Sequence, residues 1–234
     1  MTLVLAIRCG EGVVLASDGQ ATTDAAGQPT KQPARKLFDV GGRIAWGAAG
    51  SMGLQQTLRD ELADLAPDGR GASALRRALA GAVIPIQQEA LRDYVPQPGS
   101  EPPDLACIFA WHDREGARIL SIPRTGSDHQ FHLGYSAIGS GDIFADFAMA
   151  SVAHLGTADL SLEHAKMVAY KAIADAIDVA AVYVGPPIQM YVVTAGGARP
   201  VPREEIEGGL AGSVDAWKAR QRETLGPLAP ATPL

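Results

Sequence analysis

Cysteine is scarce in this sequence: there are two in 234 residues, too few for a disulfide framework. Cys9 and Cys107 each sit inside an apolar run, where a small buried thiol is the ordinary outcome. A reducing, cytoplasmic setting is therefore expected. No run of Lys or Arg occurs and the net charge is -6, so the basic face needed to displace counterions from nucleic acid is missing. No apolar stretch reaches the roughly 18 residues needed to span a bilayer. The first residues carry neither a basic segment nor a long apolar core of the kind that targets secretion, so the chain is expected to begin near its mature end.

Metal and nucleotide signatures are missing too. The five histidines show no helical ligand spacing, and His129 and His132 fall in an expected strand, where that offset puts them on opposite faces. The stretch "GSGD" lacks the Lys-Ser/Thr tail of a phosphate-binding loop, and no Gly-x-Gly-x-x-Gly occurs. What is present is a chain that is 47% hydrophobic, long enough to bury one substantial core. Residues 2–225 are expected to form a single domain, and the Pro/Ala-rich 226–234 a mobile tail.

The pattern along the chain alternates in blocks. Residues 3–9 and 12–17 read as a hairpin around Gly10-Glu11-Gly12, and "RKLFDV" and "RIAWGAAG" as a second one around Gly41-Gly42, after a polar loop at 19–33. From Ser51 the period becomes helical, with Leu54, Leu58, Leu62 and Leu65 on one face and a stop at Pro67-Asp68-Gly69. A second helix begins near Ser73 and contains Pro85, which predicts a kink. Strands return at "LACIFAW", "ARILSIP", "FHLG" and "SAIG"; helices follow at about 141–155 and 161–181, the latter capped by Ser161; "IQMYVVT" is a last strand, and 213–225 a terminal helix. Strands beside helix pairs, twice over, predict an α+β four-layer αββα sandwich, with two antiparallel sheets between helix pairs.

Thr2 is the first candidate for chemistry. Behind Met1 it is either the first β-branched residue of a strand or, once the methionine is removed, a residue owning both a hydroxyl and a free α-amine. Such an amine titrates at about 8 and is a base the backbone itself supplies beside the hydroxyl. Taken singly, the other candidates also have plain readings: Asp18 as a turn-capping carboxylate, Lys36 as a strand-end lysine reaching solvent, Gly50 as a tight strand-to-helix turn, Ser140 as an N-cap.

Together the segments resemble a known family. "MTLVLAIRCGEGVVLASDGQATTD" is similar to the start of mature proteasome β-type subunits and of their bacterial relative HslV, including the spacing from Thr2 to Asp18; "DGQAT" is especially HslV-like. The likeness continues through "ARKLFDV", "AWGAAGS", "AIGSG" and the helix at Leu160-Ser161, to about Val193. The resemblance implies an N-terminal-nucleophile hydrolase fold and a threonine-type endopeptidase. Thr2 would be the nucleophile with its own α-amine as base. Lys36 would lower the pKa of the amine and hydroxyl, Asp18 would hold Lys36, Gly50 would offer its N–H to an oxyanion, and Ser140 would lie near the amine. It further implies that Ala21 and Thr22 pair with an extended substrate backbone, and that Ala21, Ala48 and Met52 line a side-chain pocket suited to a neutral or hydrophobic residue. Polypeptide substrates, a homo-oligomeric ring and an ATP-dependent unfoldase partner are the implied associations.

Several features depart from that pattern. The Asp-x-x-Ser pair of many β-subunits is incomplete in "DAIDVAAVYVGPPIQMYVV": aligning Asp178 to the aspartate leaves Ala181 at the serine, and a gapless reading of the helix puts alanine at the aspartate instead. HslV lacks the pair as well, and by that likeness a monovalent or divalent cation would be held by backbone carbonyls near 178–184. The segment before Lys36 is two residues longer and contains Pro29 and Pro33, and the chain extends beyond about 197. Two rival readings share the fold: a catalytically inactive shell or scaffold subunit, and a small-molecule amidase.

Overall fold

The structure, a computed structural model, describes residues 2–25, 28–66, 71–96, 98, 100–124, 130, 131, 134–180 and 184–226. Strand β1 (Val4–Arg8) and strand β2 (Val13–Ser17) form the expected hairpin, with Val4 opposite Ser17. Both are apolar at nearly every position and buried on both faces. A strand reads this way when one face meets helices and the other a second sheet. Leu3, Leu5 and Ile7 pack against helices, while Val4 and Ala6 belong to the core between the sheets.

β1 is not an edge strand. On its other side lies β10 (Tyr135–Ile138), and β2 continues to β11 (Gln189–Thr194) and β12 (Gly197–Pro200), giving the order β10-β1-β2-β11-β12. The second sheet is a meander of β5 (Leu37–Val40), β6 (Ile44–Gly50), β7 (Leu105–Asp113), β8 (Gly116–Ile122) and β9 (Gln130–Phe131). All pairings are antiparallel. Helices α1 (Met52–Ala63) and α2 (Ala72–Asp93) cover the second sheet through Leu58, Leu62, Leu79 and Val83. Helices α3 (Asp142–Val152) and α4 (Leu162–Val179) cover the first through Ala145, Met149, Ala169 and Ile173. The order is helices, sheet, sheet, helices, as the block pattern predicts.

Ser161 caps α4 by accepting the His164 N–H at 3.2 Å, as expected. Two segments differ from the sequence reading. The polar stretch expected as a loop is a separate hairpin of β3 (Gln20–Ala25) and β4 (Gln28–Pro33); β4 pairs on one side only, which is where a strand tolerates Pro29 and Pro33. Helix α2 continues through Pro85 to Asp93, in keeping with one helix spanning that proline. The ring faces solvent, and the carbonyl it deprives of a donor belongs to Gly81, also solvent-facing with open space around it, so the cost that normally breaks a helix is softened by water. The terminal helix α5 (Ala211–Leu225) starts earlier than expected and is preceded by a π-helical turn at Glu205–Leu210. The stop at Pro67-Asp68-Gly69, the His129 and His132 arrangement, residues 181–183 of the cation loop and the tail from 227 lie outside the described residues.

Candidate active site

The layers meet at the start of β1. Thr2 is buried, and the peptide unit that follows its Cα is fixed at both of its polar groups: the Thr2 carbonyl accepts the Gly141 N–H at 3.3 Å, and the Leu3 N–H donates to Asp18 Oδ1 at 2.9 Å. The Asp18 N–H returns a bond to the Leu3 carbonyl at 3.2 Å. Asp18 follows β2 directly and is 0% exposed. Its Oδ2 accepts the N–H groups of Gln20 and Gly185, both at 3.2 Å. Three backbone donors therefore converge on one carboxylate.

The fourth donor is Lys36. Its Nζ lies 2.7 Å from Asp18 Oδ1, the same oxygen that holds the Leu3 N–H. A cation is thus fastened beside the first peptide unit of β1. Lys36 is 5% exposed, and burial is the larger influence on it: desolvation lowers its pKa below that of an ordinary lysine, while Asp18 works in the opposite direction. Asp18 does cap backbone N–H groups, Gln20 among them, but Lys36 does not reach solvent as its plain reading had it.

Gly50 ends β6, and α1 begins two residues later. Its φ of +114° belongs to glycine, and a Cβ there would stand 2.2 Å from the Asp104 carbonyl oxygen. That carbonyl accepts the Ser51 N–H at 2.8 Å, and the Asp104 carboxylate pairs with Arg124 at 2.8 Å. The preceding residue, Ala49, reaches the turn after β10: a Cβ on Gly139 would lie 3.4 Å from the Ala49 Cβ and 2.0 Å from the Thr2 oxygen. The turn at Gly139–Gly141 therefore joins Thr2 to the end of β6. Ser140 is the exposed member of that turn, just before α3.

Thr2, Asp18, Lys36, Gly50 and Ser140 are thus placed around one end of the interface between the sheets. Ala21 and Thr22 lie in β3, partly buried, with the Gln20 side chain donating to Thr22 Oγ1 at 3.2 Å. Met52 opens α1 and is 51% exposed. Ala48 is set differently: it is fully buried with Leu58, Leu62 and Leu79 under α1 and α2, on the opposite face of β6 from Ala49. Asp178 is exposed near the end of α4. Two residues that sequence reasoning missed stand out in the geometry. Gly139 admits the Thr2 carbonyl, and Gln189 bonds the backbone around Lys36.

Comparison with known proteins concerns the chain as a whole. The profile described as "Proteasome subunit" matches residues 2–193. A protein of Stackebrandtia nassauensis named "Proteasome subunit beta" is 29% identical over 224 residues, covering 88% of this chain and 75% of that protein. Its namesake in Gordonia bronchialis is 39% identical over 99 residues, 40% of this chain and 33% of that protein's length. Among the described residues no helix is long and apolar enough to cross a membrane.

Proposed function

The chain belongs to the proteasome subunit family, as a β-like subunit distantly homologous to those of bacteria, and we propose that it is a threonine-type endopeptidase acting through Thr2 once Met1 is removed. The observation that carries this reading is the buried Asp18–Lys36 pair, which shares one carboxylate oxygen with the amide that follows Thr2. A structural ion pair would serve equally well elsewhere on the surface at less desolvation cost. Placed here, its positive charge disfavours a second cation nearby and keeps the Thr2 amine unprotonated at neutral pH.

The reaction then follows from the residues present. Thr2 Oγ attacks the carbonyl carbon of the scissile amide as its proton passes to the α-amine, directly or through a water. The tetrahedral oxyanion is stabilised by the Gly50 N–H, which precedes the unpaired donors of the α1 N-terminus. Collapse breaks the C–N bond, and the departing nitrogen takes the proton from the α-ammonium. An ester on Thr2 remains; water attacks it, with the amine again the base, and the acid product leaves. In this reading Ser140, in the turn whose Gly141 N–H bonds the Thr2 carbonyl, supports the amine through its hydroxyl. Ala21 and Thr22 offer β-strand pairing to an extended polypeptide, and Met52 an apolar wall before the scissile bond. Family subunits form oligomeric rings, and in this reading a ring chamber and an ATP-dependent unfoldase restrict access.

The test is intact mass of the protein from its native host, before and after an electrophilic threonine-directed inhibitor. We expect a subunit lacking Met1 that gains one adduct on Thr2, and a Thr2→Ala variant that gains none while assembling normally. A subunit that keeps Met1 and stays unlabelled sinks the peptidase reading, and with assembly intact it supports a scaffold role instead.

A further inference from the structure

We propose that Gln189 is a positioning residue for Lys36, an inference that rests on the peptidase reading above. Lys36 lies between β4 and β5, in the three-residue segment 34–36 that belongs to no strand. Its backbone lies outside the β4 and β5 strands, so its polar groups are bonded by other parts of the chain. Gln189 supplies several of these bonds. Its Oε1 accepts the Lys36 N–H at 2.9 Å and the Leu37 N–H at 3.4 Å, and its Nε2 donates to the Ala34 carbonyl at 2.5 Å. One amide thus engages the main chain before, at and after the catalytic lysine.

The register explains how it reaches there. Val4, Ser17 and Gln189 form one row across β1, β2 and β11. Tyr191 and Val193, the alternate residues of β11, belong to the core between the sheets together with Val4, so Gln189 faces the second sheet. Lys36 leads into that second sheet, yet both of its named anchors come from the first: Asp18 holds Nζ and Gln189 holds the backbone. Thr2 begins the same first sheet. The lysine is therefore held from the sheet that carries the nucleophile. A second tie on the same strand supports the segment, since Arg35 donates to Tyr191 Oη at 3.0 Å.

Side-chain chemistry narrows what can stand at this position. The contacts call for one acceptor and one donor at the end of two methylenes. Asparagine is a methylene short, glutamate accepts but cannot donate to Ala34, and methionine does neither. Without the amide the lysine backbone is free to shift, and displacements of about 1 Å around a reacting group cost on the order of a hundredfold in rate.

The experiment measures labelling of Thr2 by a threonine-directed electrophile in the full-length protein. Wild type, Gln189→Met, Gln189→Glu, Lys36→Ala and both doubles with Lys36→Ala are compared across pH. In Gln189→Met the first-order rate of labelling is expected to fall about tenfold or more, with the inhibitor's half-saturating concentration nearly unchanged. The acid limb of the pH–rate profile moves to higher pH, because an amine less influenced by the lysine keeps its proton longer. Gln189→Glu, which keeps the acceptor, falls between methionine and wild type. In the Lys36→Ala background neither substitution lowers the rate further. Wild-type rates and profile in the single variants, or additive losses in the doubles, overturn the inference. Running both cycles leaves one readable if the other variant does not fold. Wild-type protein that is itself unlabelled overturns the peptidase reading and this inference with it; labelled wild type with indifferent Gln189 variants overturns this inference alone.

Discussion

Replacing Asp18 by asparagine is the most discriminating perturbation of the buried pair, because shape is kept while charge and one acceptor are lost. The carboxylate accepts from four donors: the N–H groups of Leu3, Gln20 and Gly185, and Lys36 Nζ. An amide keeps a single oxygen. With that oxygen at the Oδ1 position, the new NH2 group faces the Gln20 and Gly185 N–H donors; flipped, it faces Leu3 and Lys36. Two donors lose their acceptor in either orientation. Leaving a buried donor unsatisfied costs about 1–3 kcal/mol, and leaving a buried ammonium without its counter-charge costs about 3–5 kcal/mol. These losses overlap, so we expect Asp18→Asn to destabilise by about 4 kcal/mol or more, a large share of a typical stability of about 5–15 kcal/mol. Urea unfolding at fixed protein concentration, followed by the fluorescence of the buried Trp46 and Trp111, gives the value from the shift in midpoint. Adding Lys36→Met to Asp18→Asn removes the stranded ammonium and should recover about half of the loss. A single-variant loss under about 1 kcal/mol, or a double variant that is weaker by the full sum of the singles, refutes the reasoning.

The Gly139 turn gives a paired prediction. Gly139→Ala meets a φ of +100° and the Thr2 carbonyl oxygen at 2.0 Å, whereas Gly42→Ala meets a φ of +63° and no atom within 4 Å. The second should cost about 1 kcal/mol, from backbone strain alone; the first should cost clearly more in the same unfolding assay and abolish labelling of Thr2, and equal costs would show that the turn yields without disturbing the site. Lys36 predicts a pH dependence. Burial lowers its folded pKa below the ordinary 10.5, so between those two values the unfolded chain binds more protons and this residue's contribution to stability rises with pH. The stability of wild type minus that of Lys36→Met should therefore increase from neutral pH toward 10.5; a flat or falling difference counts against the pair as described.

What was legible in the sequence follows from burial. β1, β2, β6, β7 and β11 are apolar runs because both of their faces are covered, and runs bounded by Gly and Asp stand out in any reading. The β3–β4 hairpin has no such imprint: "QATTDA" and "QPTKQP" pair with each other alone, both are polar in composition, and the prolines argue against a strand. β12 is short, polar and at an edge for the same reason. Thr2, Asp18 and Lys36 were legible through their spacing in a family pattern, and the geometry gathers them. Gln189 left a faint trace, a lone polar residue heading the apolar "MYVVT", but its target is a strand lead-in 153 positions away, and no periodicity reports that. Ala48 was assignable to a face by parity with Trp46, which also lies under the helices, had β6 been read residue by residue.

The proposed chemistry asks a chain end to be the most ordered part of the molecule, whereas ends normally fray. The topology resolves that demand. β1 is flanked by β10 and β2, so its backbone is bonded on both edges from its first residues, and Leu3 through Ile7 have no exposed surface. The two groups nearest the amine are then fixed individually, the Thr2 carbonyl by Gly141 and the Leu3 N–H by Asp18. None of these bonds involves the Thr2 nitrogen, so converting that nitrogen from an amide to an amine leaves every one of them in place. In the proposed chemistry the sheet would thus hold the geometry before processing, and removal of Met1 would change only the chemistry of one nitrogen, from a peptide that cannot accept a proton to a base that can.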